Sequence, residues 1–586
     1  MAVATAGATF TADGISDRPV YDFAPPAQFF AAGPPSGEGV FDIRDFGAVS
    51  GADVNNQPMI QAAINAAHEA GGGIVYIPPG TWGIAVNPDG YGSVHVLDNV
   101  FLKGAGMGES ELRLMDGSSG DITGLVRSQW GVETTNWGIA DFTIDGNKAN
   151  TAGVVDGFFT GPQPGSTMTD KDIYVLRMEI ENVSRYGFDP HEQTERLSIQ
   201  DSVAHDNAVD GFVLDFTTNS ELSGNSSYDN GRHGFNFVTT SSDVLLTNNV
   251  AHDNGGAGFV IQRGSENIEG PSGITLEGGA SWGNGREGVL VQMASDVTIS
   301  GMDIHDNGRS GVRIYGSSNV TVEGNAIHGN SQAQADGYSE VDIAAYDDTV
   351  YGGVHAASDN LVQGNTIDAT GPVQARHGID ERAGDTANNT VVDNVISGTT
   401  RGALSLNGEG SYNQKLGTDA SDTIVGSSTQ DYLAGGAGAD TMSGGDGHDL
   451  VEGGAGNDQA LGGKGDDELY GGDGNDVLNG NSGQDILEGG AGSDQLIGDA
   501  GSDWLDGGLG DDTVSAGSGD DSVWADAGND KLDGGSGFDT LDFSDVGGGV
   551  TVNLTAKTAV GAGSDTISSF EAVVGSGFAD VLTGDK

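Results

Sequence analysis

Ala204-His205-Asp206-Asn207, Ser227-Tyr228-Asp229-Asn230, Ala251-His252-Asp253-Asn254, Ser281-Trp282-Gly283-Asn284, Ile304-His305-Asp306-Asn307 and Ile327-His328-Gly329-Asn330 are copies of one short phrase. From position 205 the steps between copies are 23, 24, 30, 23 and 23 residues. A second phrase keeps the same phase: Asp210-Gly211-Phe212, His233-Gly234-Phe235, Ala257-Gly258-Phe259, Glu287-Gly288-Val289 and Ser310-Gly311-Val312. A fixed period of 20–50 residues marks a solenoid. The stretches between phrases are short and apolar with no helical period, so each copy is one rung of a β-solenoid. The 30-residue step implies an inserted loop, expected at residues 263–273. An Asn at the same point of every rung predicts a hydrogen-bonded ladder at a turn. His205, His252, His305 and His328 share that register and read as structural.

The solenoid has a beginning and an end in the text. Val40 to Ala48 starts a strand, and Gln57 to Ala70 carries a helical face of Ile60, Ala63, Ile64 and Ala67. Gly71-Gly72-Gly73 stops that helix, and Ile74-Val75-Tyr76-Ile77 is a buried strand. The order is similar to the N-terminal cap of pectate-lyase-like parallel β-helices. Residues 1–38, with Pro25-Pro26 and Gly33-Pro34-Pro35, read as a leader of no assigned function. The parallel β-helix module is expected over 39–405, with a linker over 406–420.

Residues 421–586 read differently. Asp440, Asp449, Asp458, Asp467, Asp476, Asp485, Asp494, Asp503, Asp512, Asp521, Asp530 and Asp539 are spaced by nine. They sit in a G-G-x-G-x-D-x-U-x unit, a calcium-binding β-roll repeat. Gly permits the tight turn, Asp supplies oxygen, and apolar residues such as Met442, Leu478, Leu487 and Leu496 point inward. Ca2+ takes six to eight oxygens, which suits carboxylates plus turn carbonyls. From 435 to 541 there are 21 Asp and 3 Glu against 2 Lys, a net of −22. Without metal such a segment cannot pay for its own ordering. After Phe543 the repeat lapses into a closing unit, and Ala579 to Lys586 resembles the start of another repeat, so a longer natural chain is expected.

Composition excludes other classes. A net charge of −63 on 586 residues argues against a nucleic-acid binder. There is no Cys, so neither disulfides nor thiolate metal sites occur. The first residues, Met1-Ala2-Val3-Ala4-Thr5-Ala6, lack the charge and apolar core of a secretory signal peptide. No apolar run approaches the ~20 residues of a membrane span. A monomer is expected.

The candidate chemistry lies in Arg185-Tyr186-Gly187-Phe188-Asp189-Pro190-His191-Glu192. Within it stand a phenol, a carboxylate and an imidazole, the groups that move protons. Pro190 pushes Asp189 to extended backbone. His191 stands outside the His205 register. At one rung per 23 residues, Asp210, Asp215, Arg232 and His233 are expected on adjoining rungs, where parallel strands are ~4.8 Å apart. Of 23 Lys and Arg, 18 lie at or before Arg401. Arg127, Lys148, Arg185, Arg232, Arg286, Arg309 and Arg313 are candidates for a strip facing an anionic polymer.

Tyr186-Gly-Phe-Asp-Pro-His-Glu192, Asp201-Ser-Val-Ala-His-Asp-Asn207, Arg232-His-Gly-Phe-Asn236 and Arg286-Glu-Gly-Val289, ahead of the calcium repeat, resemble the secreted mannuronan C5-epimerases of alginate-producing bacteria. The resemblance covers residues 40–585 and implies an all-β protein, a right-handed parallel β-helix followed by a calcium-binding parallel β-roll. It implies an isomerase that converts mannuronate to guluronate within alginate by removing and returning the C5 proton. Tyr186 and His191 would be the two acid/base groups, in either order, and Asp189 and Arg232 would hold and neutralise the sugar carboxylate. Asp215, His233, Arg127, Arg286 and Gln292 would bind the polymer. The position of Gln292 often carries a Lys in the family, which leaves chain cleavage by β-elimination from the same intermediate as the nearest alternative. A non-catalytic polysaccharide-binding β-helix is the second. Ca2+ as cofactor, secretion without an N-terminal signal peptide, by a one-step route, and an extracellular location are further implications.

Overall fold

A computed structural model gives the fold. It describes residues 26–86, 92–161, 168–191, 193–264, 269–333, 338–347, 354–368 and most of 375–584, except 376–377, 383–385, 388, 393, 398–403, 406–411, 417–420, 427–429 and 562. Contacts divide the chain into two units, 1–203 and 204–586, and each is described by itself.

The first unit is a stack of parallel rungs. Gly80–Ile84, Ser110–Leu114, Thr143–Asp145 and Glu179–Glu181 form one row. Val94–Val96, Val126–Ser128, Phe158–Thr160 and Phe188–Pro190 form a second. Gly73–Tyr76, Val100–Lys103, Thr135–Ala140, Asp170–Leu176 and Thr194–Gln200 form a third. Between the rows Trp137, Phe158 and Phe188 are fully buried, their ring centroids 5.8 and 6.1 Å apart in sequence order. The helix Gln57–Glu69 buries Ile60, Ala63, Ile64 and Ala67 and packs on Gly73–Tyr76 and Val94–Val96. It stops at Gly71 and Gly72, both with positive φ, as the triple glycine predicts.

The leader expectation needs correcting in part. Residues 1–25 lie outside the described residues, but Ala27–Phe30 is a docked helical turn. Phe29 is fully buried against Phe101, 4.9 Å between centroids. Buried Lys103 donates to Phe29 O at 2.9 Å and Ala31 O at 2.7 Å, and pairs with Asp141. An ammonium taken out of water needs such partners.

The second unit begins with parallel rows of the same kind. Phe212–Asp215, Phe235–Val238, Phe259–Gln262, Val289–Gln292, Val312–Tyr315, Val341–Ala344 and Ile379–Glu381 pair in parallel register. The expected Asn ladder is present. Asn207, Asn230, Asn254, Asn284 and Asn307 each pass an Nδ2–H to the Oδ1 of the next Asn at 2.9–3.0 Å, and Asn330 ends the ladder by donating to Glu340 Oε2 at 2.6 Å. The residue before each Asn is Asp206, Asp229, Asp253, Gly283, Asp306 or Gly329, and every one has positive φ. That backbone is open to Gly and tolerated by Asp, which is why the phrase alternates between the two. His205, Tyr228, His252, Trp282, His305 and His328 stack at 4.6–5.7 Å, tilted by no more than 8°. The long step is an insertion between Gln262 and Ser272, of which 265–268 lie outside the described residues.

Tyr412–Leu416, inside the segment expected as a linker, is a strand pairing with Thr390–Val392 on one side and Asp431–Ala437 on the other. Asn407 to Ser411 lies outside the described residues. Beyond it the rung shortens to two strands and 18 residues: Leu450–Ala455 pairs with Glu468–Asp473, and Gln459–Lys464 with Val477–Ser482. The core narrows to one apolar side chain per strand, with Met442, Ala460 and Leu478 on one sheet and Val451, Leu469 and Leu487 on the other.

Candidate active site

In the first unit the site is built on the strand Phe188–Pro190. Its register sets Asp189 beside Phe159 and Pro190 beside Thr160. Asp189 is extended and buried, at 1% exposure. His191 follows the strand, and its N–H donates to Thr160 O at 3.1 Å. The His191 ring stacks on Phe159, 5.8 Å between centroids and 25° between planes. Arg185 lies over the Tyr186 ring at 4.9 Å. Its guanidinium grips buried Asp156 with Nε at 2.7 Å from Oδ1 and an Nη on Oδ2. It also stands 3.8 Å from Asp189 Oδ2. Asp156 holds Arg185 above the ordinary guanidinium range. Tyr186 and His191 are half-buried at the two ends of this stretch, with the Nδ1 face of His191 turned inward.

Arg127 is not on a solvent-facing strip. It is fully buried, donates to Ser128 O, Thr123 O and Gly161 O, and is sandwiched between Trp130 at 4.7 Å and Phe159 at 4.6 Å. Its guanidinium supports the ring on which His191 stacks. The expectation of direct polymer contact is corrected accordingly.

In the second unit Arg232 repeats the Arg185 arrangement. Its Nε is 2.7 Å from Asp210 Oδ1, an Nη meets Oδ2, and Asp210 is fully buried. The Arg232 side chain keeps 44% of its surface exposed. Asp156 and Asp210 both open an Asp-Gly-Phe tripeptide, and Arg185 and Arg232 both precede an x-Gly-Phe. That shared spelling was the available signal for the clamp.

His233 also contacts Asp210, through its N–H at 2.9 Å. Its Nδ1 accepts from Ala257 N–H at 3.0 Å, so the ring proton sits on Nε2. Burial pushes its pKa down to about 4. A base so depressed stays neutral in the fold while the unfolded chain takes a proton near 6.5, so stability is whole above that value and drains as pH falls towards 4. The expected loss is about 3 kcal/mol. Thermal unfolding from pH 4 to 8 should show that slope, and His233→Gln should flatten it. An equal slope in both proteins would remove His233 as the cause.

Asp215 ends the strand Phe212–Asp215, and the same line across the sheet holds Val238, Gln262, Gln292 and Tyr315. Gln262 donates to Asn236 Oδ1 at 2.9 Å and is a row-mate of Gln292 that the sequence reading passed over. Arg286 stands 3.4 Å from buried Glu287, which also meets Arg309 at 3.3 Å and Arg313 at 3.7 Å. Arg313 and Arg382 share buried Asp342. The carboxylates are buried, while Arg286, Arg309 and Arg382 keep about a third or more of their side-chain surface exposed and Arg313 is largely covered, so a ligand meets those three cations first.

The twelve nine-spaced aspartates are all buried, at 3% exposure or less. Each Oδ1 accepts the backbone N–H of the residue 18 positions earlier, as Asp476 does from Asp458 at 2.8 Å. Each Oδ2 is buried with no hydrogen-bond partner. A row of orphaned carboxylate oxygens fits a bound hard cation. The turns allow close approach: a Cβ on Gly474 would lie 1.4 Å from Gly456 O. Among the described residues no three His, Asp or Glu side chains converge as a cage, so turn carbonyls must complete any coordination shell.

Comparison with known proteins matches both halves. The family described as right handed beta helix region matches residues 131–281 and 267–429, together about half of the chain. The RTX calcium-binding nonapeptide repeat matches 416–451, 452–487, 479–514 and 506–541. Mannuronan C5-epimerase AlgE6 of Azotobacter vinelandii is 46% identical over 392 residues, 66% of this chain and 45% of that protein. Alginate lyase 7 of the same organism is 44% identical over 387 residues, again 66% and 45%. The chain spans less than half the length of the curated relatives it matches. The solved A-module of AlgE6 is 46% identical, with a TM-score of 0.61 over 63% of this chain and 97% of the module. With a β-helix that spans that module almost entirely and an RTX repeat behind it, the chain belongs to the mannuronan C5-epimerase family.

Proposed function

We propose that this protein inverts C5 of mannuronate residues within the alginate polymer. The observation that carries this reading is the pair Tyr186 and His191, two half-exposed proton carriers flanking buried Asp189 on one strand. Inversion needs one group to take the C5 proton and another to return one on the opposite face. The proton lies beside a carboxylate, whose charge opposes its removal, so the intermediate must be stabilised by positive charge. The outward guanidinia of Arg232, Arg286 and Arg309 hold the polymer's carboxylates. Asp189, buried with an oxygen 3.8 Å from Arg185, is assigned with Arg232 to holding the sugar carboxylate. Asp215 and Gln292 are assigned to polymer positioning, and buried His233, whose N–H donates to Asp210, to holding the carboxylate that grips Arg232.

Calcium is the proposed cofactor of the repeat segment, held by Asp440 to Asp539, with export to a calcium-rich exterior as the proposed location. Among the described residues no helix is long and apolar enough to cross a membrane.

The test is proton NMR of polymannuronate incubated with the protein in D2O and calcium. Guluronate carrying deuterium at C5, without unsaturated chain ends, is expected. Comparable amounts of unsaturated ends would make the protein a lyase, as a 44% identical relative is named. Neither signal from folded, calcium-loaded protein would leave a binding role.

A further inference from the structure

The metal ladder does not stop where the nine-residue period stops. The strict spacing ends at Asp539, and the nonapeptide match ends at residue 541. The next 20 or so residues leave the roll as a hairpin, Thr551–Asn553 paired antiparallel with Thr558–Val560. The chain then returns. Ser564–Ser568 pairs parallel with Lys531–Ser536, with Lys531 opposite Thr566 and Leu532 opposite Ile567. Ile567 is 1% exposed and takes the place after Leu532 in that sheet's row of core residues.

At this return Asp565 occupies the state of the twelve. It is 3% exposed. Its Oδ1 accepts Asp530 N–H at 3.2 Å, a link of 35 residues where every earlier link is 18. Its Oδ2 is buried without a hydrogen-bond partner. The turn beneath it is stacked in the same way. A Cβ on Gly563 would lie 1.3 Å from Gly528 O, as one on Gly510 would lie 1.5 Å from Gly492 O and one on Gly492 1.4 Å from Gly474 O. Gly561-x-Gly563-x-Asp565 is the repeat's own turn, displaced from the nine-residue register by the hairpin. On the opposite edge the ladder ends otherwise: Asp539 N–H donates to Glu571 Oε2 at 3.0 Å, and Glu571 is exposed.

We propose that Asp565, with the stacked turns at Gly528–Asp530 and Gly563–Asp565, holds one calcium ion beyond the nonapeptide repeat, and that this ion fastens the closing hairpin to the roll. A buried carboxylate oxygen with no donor facing it requires either a cation or a proton, and twelve identical neighbours in a calcium-type repeat select the cation. The inference concerns metal content alone and stands whichever reaction the β-helix performs.

Metal analysis of calcium-saturated protein after gel filtration tests it. Asp565→Asn should bind one Ca2+ fewer per chain than the parent, and Asp545→Asn, an exposed acid of the same segment, should bind as many. Unchanged content in a folded Asp565→Asn protein would overturn the site and mean that Asp565 is protonated. Should the variant not fold, amide hydrogen exchange of the unaltered protein decides. Residues 563–568 should lose protection on chelation together with 435–541. Protection there that ignores calcium would overturn the proposal equally.

Discussion

Guluronate formation should fall by about 10²–10⁴-fold in both Tyr186→Phe and His191→Gln, the range that a positioned acid or base contributes. Neither change should unfold the protein. Tyr186→Phe keeps the ring under Arg185 and deletes one oxygen. In His191→Gln the backbone bond from residue 191 to Thr160 O persists, because it needs no side chain. The stacked contact on Phe159 is among what the substitution removes. Substitutions of this kind usually shift stability by about 0.5 kcal/mol. Circular dichroism and unfolding midpoints should therefore match the parent while NMR shows no product. Lost folding in step with lost activity would make the two rings structural. The pair is also separable. A variant that still exchanges the mannuronate C5 proton with D2O, but forms no guluronate, lacks the group that reprotonates the new face. The other variant should show neither exchange nor product.

The parts legible in the sequence were those written by repetition or by density. The Asn207-to-Asn330 ladder and the His205-to-His328 stack follow from a period, because identical rungs put identical residues in line. The strand at Phe188–Pro190 follows from Pro190. What escaped depends on partners remote in the chain. Arg127 has the spelling of a surface cation, and its burial is decided by Phe159, 32 residues away, together with carbonyls that carry no residue signature. Phe29 reads as part of a leader until Phe101 and Lys103 meet it across some 70 residues. Asp565 keeps the repeat's turn but loses its register to a hairpin, so a search by period passes it. Asp156 and Asp210 lay in plain view in a shared Asp-Gly-Phe spelling, yet which arginine each one grips follows only once the rungs are stacked.

Removing calcium should unfold the repeat segment while the β-helix rungs keep their protection. The roll's core takes only about one apolar side chain per strand, and the roll buries twelve carboxylates whose second oxygen has no donor. Burial pushes Asp449 and Asp503 up to about 7, and Asp467, Asp485, Asp494 and Asp530 up to about 6. The direction says that the fold resists their negative charge, yet at pH 7.5 most carry it. A net of −22 between 435 and 541 adds repulsion that no Lys row offsets. A structural cation in such a site supplies folding free energy outright, on the order of several kcal/mol in total even where each site is weak. The β-helix rungs have a different source of stability, the stacked Phe212, Phe235 and Phe259 and the Asn ladder, none of which involves a metal. Hydrogen exchange in excess chelator should therefore show full exchange across 435–541 and retained protection at Phe212–Asp215, Phe235–Val238 and Phe259–Gln262. Restored calcium should restore the roll. Protection of 435–541 that survives chelation at pH 7.5 would mean that the aspartates fold by sharing protons, and the calcium assignment would fall with it. Loss of both regions together would instead join them into one cooperative block, a result for which the strand Tyr412–Leu416, paired to both sides, supplies the link: its amides should then lose protection together with rungs and roll alike.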